Sequence, residues 1–211
     1  MQRAHLITKL LDLGAGIYDP FLRIAVDEQK LRKELLGFAH LKGNEKVLDV
    51  GCGTGSFCLM VAKALNKGSV CGIDLSSKMV AIAKGKTGHV AHKIDYRVGN
   101  SMELPCNSKA FDVVFTSLMY HHLDYEEKRR TLGEIHRVLK RNGRYVSVEF
   151  GEFPQDPFHR MIIGFTRSSG MLHGMYPHEI IEGAGFHVIN ESEGPALGGH
   201  HKATYRVLGK I

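Results

Sequence analysis

The stretch Val47-Leu48-Asp49-Val50-Gly51-Cys52-Gly53-Thr54-Gly55 decides how this chain folds. Lys46 to Val50 is a short apolar run ending in glycines, the pattern of a parallel strand buried on both faces. Beyond the glycines, Cys58, Val61, Ala62 and Leu65 recur at helical spacing until Asn66-Lys67-Gly68 stops them. Strand, glycine turn and helix open an α/β unit, and in an open parallel sheet ligands bind beyond the carboxyl ends of the strands, where this turn must lie. Glycines at 51, 53 and 55 allow a tight turn and let ligand atoms approach the backbone. The helix behind them offers N–H groups and a positive dipole end to an anionic group.

The same alternation continues on the carboxyl side. Val70 to Asp74 reads as a second strand, and Ser76 or Ser77 caps a helix through Met79, Ile82 and Ala83. Tyr96 to Val98 and Phe111 to Thr116 supply two more strands. Asp124 with Glu127 three residues later resembles a capping box for a helix holding Leu132, Ile135 and Leu139, stopped by Asn142-Gly143. Arg144 to Phe150 is a fifth strand; His178 to Ala184 is a short helix, and strands over Phe186 to Ile189 and Ala203 to Leu208 form an antiparallel hairpin. On the amino side, Ile7, Leu10 and Leu11 mark a short helix ended by Gly14-Ala15-Gly16. Asp19-Pro20 then opens a second helix whose stripe, through Leu31, Leu35 and Phe38, reaches about His40. The expected fold is α/β: a doubly wound, mostly parallel sheet with an antiparallel carboxyl-terminal strand and a helical amino-terminal cover. We expect one domain, with the cover over 1–42, a ligand-binding core over 43–150, a lid over 151–176 and closing elements over 177–211.

Composition sets the outer bounds. The 211 residues are 43% hydrophobic and 24% charged, ordinary globular usage that excludes disorder and fibrous repeats. The longest uncharged run, Val50 to Ala62, is far short of the ~18 apolar residues that span a bilayer. Lys9 and Asp12 break the first apolar stretch, so no secretion signal is read there. Four cysteines (52, 58, 71 and 106) without a C-x-x-C point away from zinc and disulfide frameworks and toward a reducing, cytoplasmic home. Among the thirteen histidines, His121-His122 and His200-His201 are adjacent pairs rather than i, i+4 pairs, and His89/His92 lacks a nearby carboxylate-cysteine set, so no metal is expected.

The glycine turn leaves two cofactors to weigh. The dinucleotide fingerprint G-x-G-x-x-G would need glycine at position 56, which is Ser56. The spacing here is G-x-G-x-G, with Asp49 two places before it; that carboxylate would be awkward beside a pyrophosphate and favourable beside an ammonium. Asp74, closing the second strand, can accept hydrogen bonds from both hydroxyls of a ribose and would repel a 2′-phosphate. It could also simply join the cap before Ser76-Ser77. The balance favours a methionine-derived nucleoside over NAD.

With Gly72-Ile-Asp-Leu-Ser76, Gly99-Asn-Ser-Met-Glu-Leu-Pro105, Phe111-Asp-Val-Val114, Tyr120-His-His-Leu123, Arg137 to Arg144 and Ala184-Gly-Phe186, the chain resembles a class I S-adenosylmethionine-dependent methyltransferase. The likeness lies particularly toward the ubiquinone and menaquinone C-methyltransferases. It implies a Rossmann-like, seven-stranded sheet, S-adenosylmethionine as cofactor and S-adenosylhomocysteine as product. It also implies residue roles. Gly51, Gly53 and Gly55 bend under the methionine part, which Asp49 helps hold. Asp74 takes the ribose, Leu75 and Met79 pack on the adenine, and Asn100, Ser101 and Met102 flank it. Ser117 and Tyr120 lie toward the transferred methyl, and Tyr18 closes over the cofactor. Asn100 stands where aspartate is more usual, keeping an acceptor oxygen without the charge.

The acceptor is less constrained. Ser117-Leu-Met-Tyr-His-His replaces the proline-rich motif of nucleic-acid amino methyltransferases, which argues against DNA or RNA amino methylation. Lys128, Arg129, Arg130 and Arg137 alternate with Glu126, Glu127 and Glu134 and read as a solvated helix face rather than a nucleic-acid stripe. The methionines and phenylalanines between Phe153 and Tyr176 suit either a lid over an apolar or aromatic small molecule or an ordinary buried helix pair. His121 is the candidate base if the acceptor must lose a proton; adjacent His122 should then point away. The expected activity is therefore methyl transfer to a small, partly apolar or aromatic acceptor by in-line displacement. RNA or protein methylation on the same fold, a NAD-dependent oxidoreductase and a non-catalytic cofactor binder are the alternatives.

Overall fold

The computed structural model describes residues 28–150, 178–196 and 201–211. Tyr18, the amino-terminal part of the cover and the 151–176 stretch lie outside the described residues. The order is α1 (Glu28–Phe38), β1 (Lys46–Val50), α2 (Ser56–Ala64), β2 (Ser69–Asp74), α3 (Ser77–Lys86), β3 (Ile94–Val98), β4 (Phe111–Ser117), α4 (Tyr125–Val138), β5 (Leu139–Phe150), α5 (His178–Gly183), β6 (Phe186–Ala196) and β7 (His201–Lys210). Short 3-10 turns occupy Gly88–Lys93 and Tyr120–His122.

β1 is buried throughout after Lys46, with both faces covered, and it lies inside a seven-stranded sheet of order β3-β2-β1-β4-β5-β7-β6. The pairs from β3 through β5 are parallel; β7 runs antiparallel between β5 and β6. The closing hairpin and the antiparallel last strand are as the turn spacing predicts. On one face Val47, Val113 and Phe115 pack with Phe57 and Val61 of α2 and with Leu31 and Leu35 of α1. Leu31, Leu35 and Ala39 recur every four residues, so α1 buries one stripe, and Phe38 stacks on Tyr205 with ring centroids 5.2 Å apart. On the other face Leu48, Val50, Val114 and Tyr145 meet Leu132 and Ile135 of α4 and Ile181 of α5.

The chain order reverses between β1 and β4, and the carboxyl ends of those two strands flank the switch point at which α/β sheets bind ligands. One sequence expectation needs correction here. Leu139 is not inside α4: the helix ends at Val138 and Leu139 is already extended (φ −75°, ψ 138°). Pairing with Phe111 and complete burial outweigh the helical periodicity that Leu139 also satisfies. The passage from β3 to β4, over residues 99–110, contains no helix among the described residues. The capping box of α4 does form, Asp124 accepting from the Glu127 N–H at 2.9 Å while Glu127 Oε2 accepts from the Asp124 N–H at 3.0 Å. Among the described residues no helix is long and apolar enough to cross a membrane.

Candidate functional site

The glycine turn is anchored to β2 before anything binds. The N–H groups of Gly51 and Cys52 both donate to the Ile73 carbonyl, at 2.8 and 3.0 Å. Two glycines are required for different reasons. At Gly55 (φ +76°) a Cβ would lie 2.3 Å from Tyr96 Oη and 2.8 Å from Ala83 Cβ, and Tyr96 Oη donates to the Gly55 carbonyl at 3.1 Å. Gly53 (φ +52°) meets nothing within 4 Å of a notional Cβ, so its backbone is open to an incoming molecule. Gly55→Ala should therefore lower stability by about 2–4 kcal/mol, left-handed strain adding to overpacking. A urea midpoint within error of the parent would show that the turn can yield.

Asp74 ends β2 with its carboxylate across the turn. Its Oδ2 accepts from the Gly53 N–H at 2.8 Å and its Oδ1 from the Ser76 N–H at 2.9 Å. Ser76 in turn caps α3 by accepting from the Met79 N–H at 3.1 Å. The capping role is real, and the carboxylate also borders a cleft of about 940 Å³, counted out to open solvent. Beside it stand Leu75, 38% exposed at the mouth, and Met79, buried.

The cleft's second wall is the loop after β3. Asn100 Oδ1 accepts from the Met102 N–H at 2.9 Å, shaping the turn, and Ser101 Oγ lies 3.0 Å from Thr131 Oγ1 of α4. The third wall follows β4. Leu118 takes a left-handed conformation (φ +51°), a strained choice for a branched residue, and its N–H donates to the Val148 carbonyl at 2.9 Å. The next two N–H groups, of Met119 and Tyr120, both donate to Glu149 Oε1 at 2.9 Å. Glu149 is buried at the end of β5, and so is Lys128 of α4. Burial pushes the Lys128 ammonium down from its usual range, while Glu149 and Asp124 draw it back up. Lys128 thus leaves the solvated helix face where periodicity would put it: it turns inward because a buried carboxylate faces it.

Of the residues expected at the site, Gly51, Gly53, Asp74, Leu75, Met79, Asn100, Ser101, Met102 and Ser117 border this one cleft. Gly55 lies behind the turn, and Tyr120, 1% exposed, packs into the core beneath it rather than lining it. The side chain of His121 lies outside the described residues, whereas His122 lines the cleft together with Leu118, Met119, Leu123 and Glu127. Asp49, 1% exposed, also lies off the wall; Cys58 Sγ donates to its Oδ2 at 3.1 Å, and Oδ1 has no hydrogen-bond partner among the described residues. Burial pushes its carboxyl up to about 6, the Cys58 thiol and the Arg32 charge holding it down and Asp74 adding to the rise. Among the described residues no cluster of His, Cys, Asp and Glu could hold a metal ion.

Residues 47–143 match the model of a family described as a methyltransferase domain. The demethylmenaquinone methyltransferase of Lactiplantibacillus plantarum is 32% identical over 185 residues, covering 84% of this chain and 77% of its own. Among solved structures, a SAM-dependent methyltransferase from Methanosarcina mazei superposes with a TM-score of 0.70 at 19% identity, over 83% of this chain and 97% of its own. The geranyl diphosphate C-methyltransferase of Streptomyces coelicolor A3(2), solved with S-adenosyl-L-homocysteine, gives 0.69 at 14% identity, over 87% and 81%.

Proposed function

The chain belongs to the class I S-adenosylmethionine-dependent methyltransferases, and from that premise we propose that it methylates a small, partly apolar or aromatic acceptor held against the wall that follows β4. The observation that carries this reading is the single cleft joining the Asp74 carboxylate and the open Gly53 backbone to an apolar, sulfur-bearing wall of Met102, Leu118, Met119 and Leu123. When bound, S-adenosylmethionine supplies a methyl group already activated on a sulfonium, so the protein's contribution is orientation and exclusion of water. Asp74 would take the ribose hydroxyls, Leu75 and Met79 the adenine face, and the Asn100–Met102 turn the adenine edge. The glycine turn would carry the amino-acid end, and the unpartnered Oδ1 of Asp49 fits a nearby ammonium. Tyr18 would close over the bound cofactor.

The acceptor side rests on Ser117, Leu118, Met119, His122 and Leu123. His122 is placed to hydrogen-bond an acceptor hydroxyl or take its proton, and His121, expected as the base, is the other candidate in the same turn. The likeness to the Lactiplantibacillus demethylmenaquinone methyltransferase supports a demethylated quinone as the first acceptor to try. Calorimetry with S-adenosylhomocysteine and with NAD tests the cofactor, and transfer of labelled methyl to demethylmenaquinone or to a metabolite extract tests the catalysis. Binding of NAD alone would overturn the reading, and binding of the thioether without label transfer to any acceptor would leave a cofactor binder.

Asp49 adds a pH signature. An ammonium favours the ionised carboxyl, whose midpoint in the ligand-free protein is about 6. Affinity for S-adenosylhomocysteine should thus fall about tenfold between pH 7 and pH 5, one decade per unit below that midpoint. The stability sign is opposite. A carboxyl raised in the folded state favours folding below its unfolded value of 3.8, and the benefit is lost as pH rises through about 6. Asp49→Asn should then stabilise the ligand-free protein at pH 8 by about 1–2 kcal/mol. That is less than the ~3 kcal/mol of the charge effect alone, because the new amide N–H₂ has no acceptor. The same variant should bind the thioether at least tenfold more weakly; a flat pH profile of binding would remove Asp49 from the site.

A further inference from the structure

At the opposite edge of the sheet, where β1 to β4 begin, a second cavity is lined by Lys46, Cys71, Arg97, Cys106, Lys109 and Lys140 among others, and none of these six borders the cleft described above. Cys71 projects from β2 into the core beneath the sheet, and Cys106, in the loop between β3 and β4, packs against that same apolar cluster. Both thiols line this same cavity. Two guanidinium groups are fastened to the backbone at this point. Arg97 Nη1 donates to the Pro105 carbonyl at 3.0 Å, and Arg137 Nη1 donates to the Cys106 carbonyl itself at 2.8 Å. Asp95 pairs with Arg97 and Glu134 with Arg137, so the two carboxylates hold the guanidinium groups in place while offsetting part of their charge.

The two cysteines are unequal. Cys71 is 7% exposed, whereas Cys106 is only half-buried and opens to the basic cavity. The neighbouring Cys71 thiol, with Arg97 and Arg137, pulls the Cys106 thiol down to about 7 against the opposing effects of burial and of Asp95. Cys106 in turn pushes the Cys71 thiol far above its usual range. A half-exposed thiolate beside cations is the environment of a reactive cysteine. Cys52 and Cys58, buried around Asp49 with thiols held above their usual range, are the built-in controls.

We propose that Cys106 is a modification site for small anionic disulfides and that Cys71 is its resolving thiol. The Cys106 thiolate attacks one sulfur of the disulfide; that S–S bond breaks and one thiolate leaves and is protonated, giving a mixed disulfide. Cys71 then loses its proton and attacks the Cys106 sulfur, expelling the second thiolate. The two protein thiols are oxidised by two electrons to a Cys71–Cys106 bond and the small disulfide is reduced to two thiols.

The full-length chain is treated with oxidised glutathione at pH 7 and followed by intact mass and peptide mapping. Cys106 is expected to react about threefold faster than an unperturbed thiol, its larger thiolate fraction outweighing its lower intrinsic nucleophilicity. The end product is the Cys71–Cys106 disulfide. Cys71→Ser should instead accumulate glutathione on Cys106, and Cys106→Ser should leave the remaining three cysteines unmodified over the same time. Cystamine, a cationic disulfide, should react more slowly than oxidised glutathione. Modification at Cys52 or Cys58 ahead of Cys106, a Cys71→Ser protein that holds no mixed disulfide, or equal rates with the two probes would overturn the proposal.

Discussion

Replacing Asp74 by alanine should weaken S-adenosylhomocysteine binding by about 100- to 1,000-fold while leaving the fold intact. The reason is where the carboxylate stands: each oxygen already orders one backbone N–H, that of Gly53 and that of Ser76, so it faces the cleft without needing to be organised by the ligand. A hydrogen bond to an ionised group contributes about 1.5–3 kcal/mol, toward the low end at a partly exposed site such as this one, and a ribose presents two hydroxyls, so about 3–4 kcal/mol is at stake. Stability should fall by about 1–2 kcal/mol, because the N–H groups of Gly53 and of the buried Ser76 lose their acceptor. Asp74→Asn is the sharper variant. It keeps one acceptor oxygen but turns an amide N–H₂ toward one of two backbone donors, so its loss should be intermediate, about 10- to 100-fold. Calorimetry measures both; an alanine variant that melts normally and binds with parental affinity would take Asp74 out of the site.

Asp74 was legible in the sequence because everything that places it is local: an apolar run, a glycine turn, and an acidic residue at the end of the next run. The other residues that reach the cleft from the ends of β1, β2 and β3 are legible for the same reason. Leu118, Met119 and Leu123 were not, since the conformation that turns them into the cleft is imposed by Val148 and Glu149, about thirty positions later and in another strand. The choice of His122 as a wall residue depends on a 3-10 turn that neither period-two nor period-3.6 patterning describes. Lys128 was misread for a related reason: charge alternation along α4 makes it look solvated, and only a carboxylate from β5 explains its burial. Tyr120, expected at the cofactor, instead fills the core, where an aromatic of its size buries more apolar surface than it could on an open wall. Leu139 shows the converse case, a helical period overruled by strand pairing.

Glu149→Ala should be the most damaging single change to the fold among those considered, at about 3–5 kcal/mol. Alanine removes the acceptor shared by the Met119 and Tyr120 N–H groups, and it takes away the carboxylate that faces the buried Lys128 ammonium. Breaking one partner of a buried pair leaves an uncompensated charge, which accounts for most of the cost. For a chain of this size the loss corresponds to about 10 °C or more in Tm. Glu149→Gln separates the two contributions, because the amide keeps an oxygen for both N–H groups while losing the charge. It should still cost about 2–3 kcal/mol near pH 7, most of the alanine loss, and that cost should shrink at high pH as Lys128, its ammonium already lowered by burial, gives up its proton. Pairing Glu149→Gln with Lys128→Met removes both charges and should recover most of the parental stability. If the clamp also holds Leu118 in its strained conformation against the acceptor, Glu149→Gln should keep kcat near the parental value at temperatures where it stays folded, and Glu149→Ala should not. A double-mutant cycle by urea unfolding measures the coupling; strictly additive effects at 128 and 149 would show that the two buried charges do not sense each other and that the turn after β4 is held by other means.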